Sequence, residues 1–139
     1  MYLYEDLTYK VRGAIFHVYN ALGYGHKESV YQKSLAKELE ILKIPFQQEK
    51  NIDVKYRNIK VGRYKPDFII DDKIIIEIKA IELMPKIFEI QLLNYLKSTE
   101  YKLGFLVNFG GSKLFIRRII WTQNYLHKKY QCSSVINQC

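Results

Sequence analysis

Two carboxylates and an amine lie close together along this chain: Asp67, Glu77 and Lys79. Glu77 and Lys79 are two apart in an isoleucine-rich run, so on a strand both project from one face while Ile74, Ile76 and Ile78 project from the other. Two adjacent carboxylates repel and raise each other's pKa unless a cation neutralises them. An oxygen-only donor set suits Mg2+ or Mn2+, and a neighbouring lysine can orient or deprotonate a water. The plainer reading of the same trio is a structural Glu–Lys–Asp ion-pair network on a solvated sheet face.

Whether Asp67 joins Glu77 depends on the turn at Asp71-Asp72. A two-residue loop pairs Ile70 with Lys73 and Asp67 with Ile76, burying a lone carboxylate on the isoleucine face. A three-residue loop, Asp71-Asp72-Lys73, pairs Ile70 with Ile74, Phe68 with Ile76 and Asp67 with Glu77. Phe68, Ile70, Ile74, Ile76 and Ile78 then share one apolar face, and Asp67, Glu77 and Lys79 converge on the other. The pattern predicts an odd-length loop or a bulge.

The elements that must position these groups follow from periodicity. Leu7, Val11, Ala14, Ile15, Val18 and Leu22 predict a helix over residues 4–22, ended by Gly23 and Gly25. A second helix is predicted over 27–43, stopped by Pro45. Residues 47–56 and 60–70 read as a hairpin around Arg57-Asn58, followed by the Ile74–Lys79 strand. A third helix over 85–98 and strands over 103–109 and 114–121 complete the series, with Gly110-Gly111 turning the chain back. The order ααβββαββ predicts an α/β fold, a mixed five-stranded sheet flanked by helices, with parallel strands either side of the third helix.

Helices bring further candidates. Gln91 and Tyr95, four apart, share a face of the third helix, a spacing that packing alone also produces. Gly25-His26-Lys27-Glu28-Ser29-Val30-Tyr31 puts Glu28 and Tyr31 one turn apart at the start of the second helix, where an acid also complements the helix dipole.

Lysine and arginine total 22 against 14 acids, a net +8 that favours polyanions, nucleic acid first, although a basic surface also serves solubility. Cys132 and Cys139 make neither a disulfide framework nor a four-cysteine metal site, which fits a reducing cytoplasm. The start MYLYEDLTYK carries acids where a signal peptide needs a basic and then an apolar run. No apolar run approaches the roughly 20 residues of a membrane span, so no membrane partner is expected. The expected organisation is one domain over 1–121 and a polar tail over 122–139, with a short helix near 125–129. Nothing in the sequence opposes a homodimer.

Together, Gly25-x-x-Glu28-x-x-Tyr31, Gly62-x-x-x-Pro66-Asp67, Glu77-x-Lys79 and Gln91-x-x-x-Tyr95 resemble the GxxExxY family of the PD-(D/E)xK nuclease superfamily. The resemblance spans roughly Leu7 to Trp121, and its glutamine-and-tyrosine element is similar to that of RecB-type exonuclease domains, without their iron–sulfur cysteines or helicase domain. It implies a restriction-endonuclease-like core and a metal-dependent nuclease, with DNA as the leading substrate. It further implies that Asp67, Glu77, the Ile78 carbonyl and Glu28 hold Mg2+ or Mn2+, that Lys79 acts on the attacking water, and that Gln91 holds that water or Glu77. Tyr95 and Tyr31 would position backbone phosphates or pack; basic residues such as Lys86, Lys97, Arg117 and Arg118 either track the nucleic-acid backbone or are simply solvated, and none is assigned individually. The alternative is a non-catalytic nucleic-acid-binding or protein-interaction module that keeps the fold.

Overall fold

The computed structural model describes residues 3–122; the expected tail beyond them, with its short helix and both cysteines, lies outside the described residues. Its elements are α1 (Glu5–Leu22), α2 (Glu28–Ile41), β1 (Phe46–Gln48), β2 (Ile52–Tyr56), β3 (Ile59–Tyr64), β4 (Phe68–Ile70), β5 (Ile74–Lys79), α3 (Ile87–Ser98), β6 (Leu103–Asn108) and β7 (Phe115–Ile120). The fold is α/β, with three helices and a mixed five-stranded sheet, as expected. No described helix is long and apolar enough to cross a membrane.

The sheet runs β1-β4-β5-β6-β7, and only β5 and β6, which flank α3, are parallel. Five strands rather than three precede α3, because each of the two long strands expected from the sequence is broken. Glu49 adopts a left-handed φ of 51°, separating β1 from β2, and Pro66, which has no N–H to give a ladder, separates β3 from β4. Both breaks fall at one level, so β2 and β3 leave the main sheet as a separate two-stranded ribbon. Arg57 and Asn58, both left-handed, close it with the turn that matches strand twist, and a bulge follows between Val54 and Lys55.

The turn after β4 is the three-residue solution. Ile70 pairs with Ile74 and Phe68 with Ile76, Asp71 and Asp72 are left-handed, and the Lys73 N–H donates to the Ile70 carbonyl at 2.9 Å. Phe68, Ile70, Ile74, Ile76 and Ile78 consequently all pack into the core under α1 and α2, against Val11, Ile15, Leu35 and Leu39. Ile75 and Leu106 face the other way, against Leu92 and Leu96 of α3 and Tyr64 of β3. Helices α1 and α2 thus cover one sheet face, while α3 and the ribbon cover the other.

Candidate active site

Asp67 lies just before β4, where that strand stops short of covering the end of β5. Its Oδ2 accepts the Ile78 N–H at 2.7 Å, standing in for the ladder bond the missing strand would have made. A residue's N–H and C=O point to the same strand edge, so the Ile78 carbonyl faces this side too. Glu77 and Lys79 sit on the sheet face shared with Ile75, under α3. The expected convergence of Asp67, Glu77 and Lys79 is therefore present: Asp67 and Lys79 each act electrostatically on Glu77.

Helix α3 and the ribbon close the site from above. Tyr64, Glu77, Lys79, Phe88, Gln91 and Tyr95 border a cavity of about 40 Å3, room for a water molecule or two. The Tyr64 hydroxyl donates to Glu77 Oε1 at 2.5 Å, and its ring stacks flat on Tyr95, centroids 3.6 Å apart. The Lys79 ammonium rests 4.3 Å from the centre of the Phe88 ring, a cation–π contact that keeps the charge at the cavity wall. Gln91, exposed on α3, lines the same cavity, and Tyr95 lies there half-buried as a stacking partner for Tyr64.

Helix α2 reaches the site from the opposite layer through its first turns. Gln32, one turn on from Glu28, donates to Glu28 Oε1 at 3.3 Å and to Asp67 Oδ1 at 3.1 Å, joining the two acids through its amide. Glu28 is thus at the site but linked to Asp67 through a side chain the sequence reading passed over.

Of the two roles expected of Tyr31, phosphate contact or packing, the structure shows packing. Tyr31 is 0% exposed, stacks on Phe109 at 4.5 Å, donates its hydroxyl to the Gly23 carbonyl at 2.6 Å and accepts the His26 N–H at 3.2 Å. It packs and pins the α1–α2 loop instead of meeting phosphates. We expect Tyr31→Phe to cost about 1–3 kcal/mol of stability by leaving those loop groups unpaired, with nucleic-acid affinity unchanged in titrations at a temperature where both proteins are folded.

All three carboxyls are biased toward the proton. Glu77 is pushed up to about 7, first by burial and then by the Asp67 charge, against the lowering influence of the Tyr64 hydroxyl, Lys79 and the Asp67 backbone. Burial also raises Asp67, opposed chiefly by the Ile78 N–H and Lys79, and burial followed by the Asp67 charge raises Glu28. Such a cluster holds negative charge at a cost that a bound cation would relieve. Among the described residues no three His, Cys, Asp or Glu side chains stand close enough to cage a metal ion as they are. Mg2+, however, is commonly held by one or two carboxylates plus waters and substrate phosphate, so the Asp67–Glu77 pair suffices in type and number.

The outlying cations have mixed positions. Arg117 Nε lies 3.4 Å from Glu89, and Lys97 sits over the Trp121 ring, while Lys86 is exposed at the start of α3. Besides Gln32 and Tyr64, sequence reading missed Asn108. Buried at 3% exposure, it accepts the Ile81 and Gly110 N–H groups and donates to the Ile81 carbonyl, fixing the chain just after Lys79. Its signals were faint: a polar residue ending an apolar strand, a glutamine one turn after Glu28, a tyrosine three residues before Asp67.

No curated protein sequence matches the chain. Among solved structures it is similar to an alkaline exonuclease, LHK-Exo, from Laribacter hongkongensis, with 14% identity and a TM-score of 0.43 over 74% of this chain and 61% of that one. The chain thus spans about three-fifths of that neighbour's length. The family model of the PD-(D/E)XK nuclease superfamily matches residues 5–119, which take in all three helices, β1 to β6, β7 but for its last residue, and the whole acid–lysine site. By that match, the chain belongs to the PD-(D/E)XK nuclease superfamily.

Proposed function

We propose that the protein is a Mg2+- or Mn2+-dependent nuclease of the GxxExxY type that hydrolyses phosphodiester bonds, with DNA as its substrate. The observation that carries this reading is the side-by-side placement of Asp67 and Glu77, with Lys79 at the wall of a water-sized cavity next to them. Nucleases of this superfamily generally use divalent metals. Here Asp67, Glu77 and the Ile78 carbonyl would hold the ion, with Glu28 completing the set directly or through water. The ion would supply a Lewis acid at a phosphate oxygen and a lowered pKa for a bound water. Lys79 would orient the attacking water and help take its proton, and Gln91 would hold that water from the α3 side. Tyr64 would keep one Glu77 oxygen occupied and so fix the direction in which the other is presented.

Gain of cleavage on adding Mg2+ or Mn2+, and its loss with chelator, is the expected result on single-stranded DNA, duplex DNA or RNA. Lys79→Ala should lower the rate by roughly 10^2- to 10^4-fold, and Glu77→Ala should lower it at least as far. Cleavage surviving both substitutions would refute the site. The net charge of +8 supports a second reading equally well, a nucleic-acid-binding module without catalysis. Binding by the wild type with no cleavage in either metal would establish that one.

A further inference from the structure

The β2–β3 ribbon brings Tyr64 to the site and then runs outward, and its outer half is composed unlike an ordinary exposed hairpin. Tyr56, Ile59 and Val61 are 60–66% exposed, interleaved with the exposed cations Lys55, Arg57, Lys60 and Arg63 against one acid, Asp53, which Lys60 meets at 3.3 Å. Tyr56 and Ile59 are cross-strand partners beside the turn, on the ribbon face that continues from Val54, Ile52 and Tyr64. The Arg57 guanidinium lies 5.8 Å from the centre of the Tyr56 ring. Alongside, an open groove of about 530 Å3 lies between the ribbon and the C-terminal end of α3, lined by Lys50, Asp53 and Lys55 from the ribbon side and by Lys97 and Glu100 from the α3 side.

From these features we propose that the outer half of the ribbon is a binding arm for single-stranded nucleic acid, holding the strand whose scissile phosphate lies at Glu77. This rests on the nuclease reading above. An exposed aromatic ring flanked by cations offers a stacking surface for a base and charge for its phosphates, the combination that serves single strands of any sequence. The six residues from Ile59 to Tyr64, five strand steps, span roughly 16 Å, which is about five stacked nucleotides at 3.4 Å each. The arm therefore grips the strand about five nucleotides from the bond that is cut. A single strand rather than a duplex is the occupant because Tyr56 can stack only on a base that is unpaired or splayed.

The test uses the full chain in chelator, so that binding is read without cleavage, by fluorescence anisotropy on an oligothymidylate of about 16 nucleotides and on a duplex of the same length. Tyr56→Ala should weaken oligothymidylate binding roughly 5- to 150-fold and leave duplex binding unchanged. A Lys55→Ala, Arg57→Ala, Lys60→Ala triple variant should lower the salt slope of log affinity by about 2, at roughly 0.7 per cation. A Lys10→Ala, Arg12→Ala, Lys37→Ala control on the α1–α2 layer should change neither quantity. Because the altered ribbon residues are exposed, melting curves will show all variants folded.

If the wild type binds and, with metal, cleaves, yet both ribbon variants bind oligothymidylate with wild-type affinity and slope, the arm is refuted and the nuclease reading stands. Equal weakening of duplex and single strand by Tyr56→Ala also overturns it. A wild type that neither binds nor cleaves either nucleic acid removes both readings together.

Discussion

Replacing Glu77 with glutamine is expected to make the metal-free protein more stable at pH 8 while abolishing metal-dependent cleavage. Glu77 is pushed from 4.5 to about 7 in the folded protein, mainly by burial and by the Asp67 charge. Below pH 4.5 the carboxyl is protonated in both states and contributes nothing. Between 4.5 and 7 the folded state holds a proton the unfolded chain has released, so stability falls as pH rises, and above 7 the full penalty of a buried charge is present. A shift of this size corresponds to a loss of up to about 3 kcal/mol across that window. Glutamine carries no charge to bury and can still accept the Tyr64 hydroxyl. Urea unfolding in chelator should show the variant and wild type converging near pH 4 and separating by pH 8, with the variant more stable. Coincident curves at pH 8 would mean that the site does not strain the fold in this way. Separated curves would instead show a carboxylate that costs stability until a cation reaches it, the usual trade of a functional site against stability.

Gly110→Ala is the most damaging single methyl we can place. A Cβ there would overlap the backbone nitrogen and oxygen of Ile81 and the carbonyl carbon of Ala80, the segment that leaves β5 directly after Lys79. Backbone cannot rotate aside as a side chain can, so the substitution should cost about 3 kcal/mol or more and displace the strand end that carries Lys79. The Asn108 carboxamide, which holds Ile81 and the Gly110 N–H together, would lose its partners at the same time. Gly111→Ala is the internal comparison: its Cβ comes no nearer than 3.3 Å to the Lys113 carbonyl and should cost no more than about 1 kcal/mol. Similar melting temperatures for the two variants would show that the close approach is not essential.

The chain itself fixed the pairing of Asp67 with Glu77, and it did so through rules that act over a few residues. Side chains alternate along a strand, so five apolar residues that must face one way leave only an odd loop at Asp71-Asp72-Lys73, and the observed register is that one. Helix extents were legible for the same reason, since apolar spacing and helix-ending residues are local. Only the tertiary structure decided what covers the carboxylates. Tyr64 meets Glu77 because Glu49 and Pro66 break two strands at one level and turn a ribbon over α3, a long-range consequence no periodicity encodes. Gln32 joins Glu28 to Asp67 across 35 residues of chain because β4 begins only at Phe68 and leaves the Asp67 side chain within reach of α2. Tyr31 shows the limit most plainly: its spacing from Glu28 suits either packing or binding, and its burial against Phe109, 78 residues away in sequence, is what selects packing.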